Sequence, residues 1–557
     1  MSSSANIATR LSEFAQQIPD NPAVVQCHRG KDGRMNYTQI TIAELDRQSD
    51  QLAKALRKRG LQSGQKIVLM VPPGLKFFSL TFALFKAGAT VVLIDPGMGR
   101  TRIFDCLEEI NPDGFIGIPL VQIVRCLNRK RFPNASMNVT VGLRWLWGGS
   151  TFDQLLKVDT SDVQLPVVSS SDSAAIIFTS GSTGPPKGVL YEHGMFNSQV
   201  EQLQEFFQVE PGEVDLAAFP LFALFDAGMG VTSVIPDMNP TRPADVDPEN
   251  ILDPIRDFQI TQAFGSPALW NRVGKYCVEK SITIPHLKRI CSAGAPLPLP
   301  ILNRMHSVLE EPAADMYPPY GATESLPIAC LAGREMVGRI GERTAAGAGT
   351  CVGHPFEKID VRIIRIVDGP IDSPAEMEVL PAEKIGEITV SGEVVTKEYF
   401  NRPEATRLGK IKSETELWHR VGDVGYLDEE GLLWFCGRKA HIVSTANGPL
   451  YTEQCEPIFN EHSQVYRTAL VGVGEKGNQQ PVIVVEREPA YLSQSKSDQD
   501  QLLADLREMA VQQSHTASVE TFLFHPALPV DIRHNVKINR EKLAIWASQE
   551  LAEGEMV

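Results

Sequence analysis

The sequence predicts a large α/β protein built on parallel sheets, and three observations carry that expectation. Apolar runs too short for helices alternate with amphipathic helical segments through the first half of the chain. Later the texture turns β-rich, and a small α/β unit closes the chain. The length of 557 residues, 43% of them hydrophobic, implies more than one domain with ample material for buried cores.

Taken in order, residues 43–59 place Leu45, Leu52, Ala53 and Leu56 on one helical face, with Gly60 as a stop. "KIVLMV" (66–71), the helical "KFFSLTFALFKAG" (76–88) and "TVVLI" (90–94) then make a strand–helix–strand unit. "AAIIF" precedes a Gly-rich loop, and "YEHGMFNSQVEQLQEFF" reads as the helix after it. "TQAFGSPALWNRV" and "HLKRICSAGAPLP" repeat the alternation. From about residue 350 "KIDVRIIRIV", "GEITVSGEVV" and "GYLDEEGLLWFCGR" read as strands. Beyond Lys439, "YRTALVGVGE" and "QPVIVVE" are strands of the small unit, and "SQSKSDQDQ" is a solvated loop or helix start. One boundary is expected, dividing 1–437 from 438–557.

The formal net charge of −15 argues against a general nucleic-acid binder. The nine cysteines form no C-x-x-C pair and read as buried thiols in a reducing compartment. "MSSSANIATRLSEF" has no apolar run of the secretory type, and Pro72, Pro73, Lys76 and Lys86 interrupt the greasiest region, so no membrane span is expected. The expected location is the cytoplasm. The basic "NRKRF" (128–132) reads as a solvated loop.

The chemistry centres on "TSGSTGPPKGV" (179–189). Glycines allow close backbone approach, and hydroxyls and one ammonium suit phosphate oxygens. It is not a P-loop, because Pro186 precedes Lys187 and Gly188 follows it. Four more stretches follow in order: "CSAGAPLP" (291–298), able to lie against a flat base; "YGATES" (320–325), with a carboxylate at Glu324 able to hold Mg²⁺ near phosphate; "GEITVSGEVVTKEYFNRPE" (386–404); and "WHRVGDVGYLDEEGLLWFCGRKAHIV" (418–443), with Asp423 and Arg438 suited to ribose hydroxyls. This ordered series resembles the adenylate-forming superfamily of acyl-CoA synthetases, luciferases and peptide-synthetase adenylation domains, over about residues 10 to 545.

The resemblance implies ATP and Mg²⁺ as cofactors, a small β-barrel-like part in the large domain, and a mobile α+β C-terminal domain. It assigns Thr179, Ser180, Gly181, Ser182, Thr183, Gly184 and Lys187 to the loop holding the β- and γ-phosphates. Gly294, Ala295 and Pro296, with Tyr320 and Gly321, match the adenine segments. Thr323 lies near the α-phosphate, Glu324 is the magnesium-associated glutamate, Asp423 the ribose aspartate and Arg438 the arginine before the hinge. His193 matches a histidine that follows the loop, either catalytic or a packed core residue. In "PVDIRHNVKINREKL" Lys537 fits the catalytic lysine, although Val536 replaces the family's glycine; Lys542 falls too late.

For the second half-reaction the sequence departs from CoA-using members. Ala223 stands where P-L-F-H would put histidine, Ala440 where the hinge carries Asp or Lys, and Val443 at the lysine of I-K-x-x-G. "IDPGMGRTRIFDCLEEINPDGFIG", "FPLFALFDAGMG" and "DIRHNVKINREKLAIWA" are similar to the β-lactone synthetases of bacterial long-chain olefin biosynthesis. That implies a 2-alkyl-3-hydroxy fatty acid, adenylated and then closed through its own hydroxyl. It also implies assembly with neighbours in that pathway, including a β-lactone decarboxylase. The run Ala227–Gly230 either leaves room for an alkyl branch or permits close helix packing. A fatty acyl-CoA synthetase or acyl-AMP ligase is the nearest rival, with a non-catalytic nucleotide binder behind it.

Overall fold

The computed structural model describes residues 6–179, 185–219, 222–492, 496–530 and 538–554. Two seven-stranded sheets share one plan: six parallel strands and one antiparallel strand at an edge. In the first, Lys66–Met70 and Thr90–Ile94 sit centrally, with Gly114–Gly117, Met137–Thr140 and Ser150–Thr151 on one side and Ser173–Thr179 on the other. The second runs from Asp315–Tyr317 through Arg289–Ser292, Gln262–Gly265, Val214–Ala217 and Thr232–Ile235 to Pro22–Arg29 and the antiparallel Met35–Thr41. Their central strands are buried on both faces, as continuous apolar runs require.

Helix Ile42–Lys58 begins at Thr41, whose side chain and that of Glu44 cap each other's backbone N–H. Helix Leu75–Lys86 is buried from Phe77 onward, and its apolar circumference packs into the main core. Lys86 is buried there, held by Asp46 at 2.6 Å and Asp50 at 2.7 Å.

The Gly-rich loop departs from expectation. It does not run from a strand straight into a helix. Lys187–Glu192 is a strand that returns antiparallel on Ser173–Thr179, pairing Lys187 with Thr179. Helix His193–Phe207 starts only after that. The reason lies in "VLY": Val189 and Tyr191 alternate into the core with Leu190 between them, a strand period.

The β-rich region forms an eight-stranded antiparallel sheet. Its pairing runs along an open path from Tyr320–Ala322 to Asp360–Ile364, with no closing pair among the described residues. The last unit holds the sheet Val465–Val473, Gln480–Arg487 and Thr521–Phe524, flanked by helices Lys496–Gln512 and Arg540–Gly554. Arg438 still belongs to strand Leu433–Arg438, and Lys439–His441 makes a single 3-10 turn beyond it.

Among the described residues no helix is long and apolar enough to cross a membrane, and all nine cysteines are free. Small residues in Ala223–Met229 serve packing. A Cβ on Gly228 would meet Val200 at 3.3 Å and Ile7 at 3.6 Å, and Gly230, at φ +72°, lies under the Phe14 ring. None of Ala227–Gly230 lines the main cavity.

Candidate active site

One cavity of about 1550 Å³ lies where the three large sheets meet. Its polar end is built around Glu324. The Tyr399 hydroxyl donates to Glu324 Oε1 at 2.6 Å, and the Thr396 N–H and hydroxyl donate to the Glu324 carbonyl at 2.9 and 3.1 Å. Tyr399 is placed by its neighbour: Phe400 N–H donates to the Gly188 carbonyl at 2.8 Å, zipping this segment onto the strand that carries Lys187. The Lys187 ammonium consequently sits 4.7 Å from the centre of the Tyr399 ring, a cation–π contact. Tyr191 donates to the Thr323 carbonyl and fixes the other side.

Beneath Glu324 lie two buried nitrogen bases. Lys410 donates to Thr396 Oγ1 at 3.2 Å, and His419 Nδ1 lies 2.9 Å from the Gly409 carbonyl. Burial pulls Lys410 down to about 7 and His419 to about 3. Burial also opposes the charge on Glu324, yet its pKa is held below the usual carboxylate range by His419, the Tyr399 hydroxyl and Lys410. His419 is neutral at pH 7 and Lys410 only partly charged, so the Tyr399 hydrogen bond is the lasting support of the charged form there. Glu324 is thus a charged carboxylate facing the cavity. The described residues hold no cluster of three or more metal-ligating side chains. A single carboxylate fits Mg²⁺, which commonly binds through one or two carboxylates and completes its octahedron with phosphate and water oxygens.

Nearby, the Tyr320 hydroxyl donates to Asp423 Oδ2 at 2.6 Å, and Arg438 pairs with Asp423 Oδ1 at 2.9 Å. Asp423 and Arg438 face each other as register partners of adjacent strands. The next residue, Lys439, reaches Glu387 at 3.0 Å, which also holds Arg420 at 2.6 Å. Arg438 and Lys439, the first two residues past the expected division after residue 437, are therefore anchored to the large sheet.

Away from these groups the cavity is apolar. One group of lining residues is Phe219, Phe222, Phe225, Phe264 and Met238, with Phe222 and Phe264 stacked at 4.3 Å. Another is Phe104, Leu107, Phe115, Val121 and Phe132.

Of the residues singled out in the sequence, Lys187, Gly294, Gly321, Thr323, Glu324 and Arg438 line this cavity. Gly294 adopts φ +95°, a left-handed conformation that glycine accepts without strain. Tyr320 and Asp423 stand just behind the lining; Ala295 and Pro296 follow Gly294 outside it. Thr179 ends its strand. Ser180, Gly181, Ser182, Thr183, Gly184 and Lys537 lie outside the described residues.

His193 is the exception. It is fully buried, edge-on to Phe85 at 5.5 Å, with neither ring nitrogen hydrogen-bonded among the described residues, and it does not line the cavity. Burial lowers its pKa to about 4. Its position at the first turn of a helix whose start is packed into the core takes the ring away from the reacting groups. Sequence reasoning missed Tyr399, Thr396, Lys410 and His419. Tyr399 lay within a quoted stretch, but nothing in the spacing showed that it meets Glu324, 75 residues earlier.

The AMP-binding enzyme family model matches residues 11–400, and the chain belongs to that family of AMP-forming enzymes. Two relatives, the olefin beta-lactone synthetases of Xanthomonas campestris pv. campestris and Stenotrophomonas maltophilia, are each 48% identical over 99% of this chain and 99% of their own. Solved structures show the same fold at lower identity. The o-succinylbenzoate CoA synthetase of Bacillus subtilis, in complex with its acyl-adenylate, superposes with a TM-score of 0.72 at 20% identity, covering 96% of this chain and 97% of that one. The amide bond synthetase of Marinactinospora thermotolerans reaches 0.75 at 20%, covering 97% and 99%.

Proposed function

We propose that this protein is an ATP-dependent olefin β-lactone synthetase, which adenylates a long-chain 2-alkyl-3-hydroxy acid and closes it to a β-lactone with release of AMP and pyrophosphate. The observation that supports the reading is one cavity whose lining joins Lys187, Glu324 and Arg438 to an extensive set of aromatic and aliphatic side chains. So large an apolar lining suits a long-chain acid. The resemblance of the whole chain to two synthetases of that name supports the same conclusion.

In this reading a carboxylate attacks the α-phosphate of ATP, an anion approaching a polyanion. Lys187 and the 180–184 loop hold the pyrophosphate end. Glu324 would hold Mg²⁺, which when bound neutralises phosphate charge. Thr323 lies beside the α-phosphate, Gly294 and Gly321 leave room for the adenine, and Tyr320, Asp423 and Arg438 form the ribose end. Lys537, on a C-terminal domain of residues 438–557 that closes over the site, supplies the second cation and helps exclude water. The substrate's own hydroxyl oxygen then attacks the acyl carbon: the ring C–O bond forms, the bond from that carbon to the AMP phosphate oxygen breaks, and the hydroxyl proton leaves with the departing phosphate. A tethered nucleophile carries a high effective molarity, so no second substrate is required.

The same proposal places the enzyme in the cytoplasm, beside other olefin-pathway enzymes including a β-lactone decarboxylase. A comparison of acids tests it. AMP release without CoA is expected from the 3-hydroxy acid, and little turnover from its 3-deoxy analogue, which forms an adenylate and stalls. Equal turnover of both acids, or turnover only with CoA, would contradict the reading.

A further inference from the structure

The apolar lining of the cavity reaches the surface at helix Pro119–Leu127, where Leu120, Val124 and Leu127 line it and are also exposed. Beside it, Arg125 donates to the Trp147 carbonyl at 3.4 Å and ties this helix to the 143–147 loop. That loop presents Leu143, Trp145 and Leu146 to solvent; Trp145 is 73% exposed and Leu146 fully so. Ile123 extends the same apolar surface. An exposed apolar patch of this extent at a cavity mouth marks an interaction surface.

Its charge names the partner. Between residues 114 and 152 the chain carries Arg125, Arg129, Lys130, Arg131 and Arg144 and no Asp or Glu, within a protein of formal net charge −15. Arg131 pairs with Glu108, but Arg129 and Lys130 are exposed and form no ion pair among the described residues. Exposed apolar side chains, a tryptophan and exposed cations within one stretch of about thirty residues are the composition of an interfacial element that seats on anionic lipid.

We infer that helix Pro119–Leu127 and the 143–147 loop dock the enzyme on an anionic bilayer, so that a long-chain acid passes from the lipid into the cavity. The docking stands on the surface alone; the passage of the acid rests on the function proposed above. "NRKRF" then belongs to this surface instead of being a merely solvated loop.

Co-sedimentation of the full chain with vesicles tests the docking without reference to catalysis. Binding to vesicles containing phosphatidylglycerol is expected to exceed binding to pure phosphatidylcholine about tenfold at low salt and to weaken as salt rises. The Trp145 emission should shift to the blue. Ile123→Glu with Leu146→Glu, both outside the cavity lining, should abolish binding, and Arg129→Glu with Lys130→Glu should remove the preference for anionic lipid. Circular dichroism matched to the parent shows that these surface variants fold. Binding unchanged in the apolar double variant, or no binding to either vesicle, overturns the inference. So does concentration-dependent self-association that the same variant abolishes, because the patch would then join copies of the chain.

Discussion

The two ends of the cavity are held in different ways. At the polar end each functional group is oriented by hydrogen bonds from segments distant in the chain: Tyr399 and Thr396 on Glu324, Tyr320 and Arg438 on Asp423. At the apolar end the walls are aromatic rings positioned by packing, such as Phe222 on Phe264. A directional network tolerates almost no substitution, since removing one partner leaves a buried polar group unsatisfied. Apolar walls select by volume and shape, and a lost ring costs in proportion to the area it covered. In the function proposed above, the polar end carries the chemistry and the apolar end selects the substrate.

Mutations should separate the two. The largest effect is expected at Glu324. Glu324→Gln keeps the shape and removes the charge, and kcat should fall by about 10²–10³, the scale seen when an electrostatic stabiliser is removed. A loss below tenfold would break the assignment. Next, Asp423→Ala should raise the KM for ATP by about 10–100-fold, the range of a charge-assisted hydrogen bond, while the KM for the acid barely moves. Phe222→Ala should do the reverse, raising the KM for long-chain acids about tenfold and leaving that for ATP unchanged. If both constants move together in either variant, the two ends are not independent.

Lys410 sharpens the comparison through pH. Its folded pKa of about 7 lies below the ordinary lysine value because the site is buried. Between those two pKa values the unfolded chain binds the proton more tightly, so this group's contribution to stability is present at high pH and is lost as pH falls toward 7. Lys410→Met removes that dependence. The Tm of the variant relative to the parent should therefore drop as pH rises from about 7 to about 10. A constant difference would show that Lys410 is not held neutral by its surroundings.

The smallest effect is expected at His193, which sits among core rings with no hydrogen bond to any described residue. His193→Phe should leave kcat and KM within about twofold, since replacing an unpaired buried polar group by a ring of similar shape is close to neutral.

Much of the polar end was legible in the sequence because its residues come in local clusters: Lys187 in its loop, Thr323 and Glu324 side by side, Asp423 and Arg438 within one β-hairpin. The parallel strands Lys66–Met70, Thr90–Ile94 and Ser173–Thr179 were legible for a similar reason, each being a short apolar run, whereas Pro22–Arg29, Val214–Ala217 and Thr232–Ile235, with polar residues among the apolar ones, were not read as strands. Lys410 and His419 were not, for nothing in their surrounding residues separates a buried lysine under a carboxylate from a surface one. The strand Lys187–Glu192 was missed because Tyr191 and Glu192 fit a helix start as well as a strand end. The small residues Ala227–Gly230 were ambiguous until Phe14, Val200 and Ile7 were found against them. The apolar lining of the cavity was scattered over too many segments to be seen at all.

The central claim is intramolecular capture of the adenylate, and one incubation tests it directly: protein, ATP, Mg²⁺ and a 2-alkyl-3-hydroxy fatty acid, without CoA, followed by NMR of the extracted lipid. The account predicts a β-lactone with AMP and pyrophosphate formed in equal amounts. Unchanged acid, with a thioester appearing only when CoA is added, would contradict it.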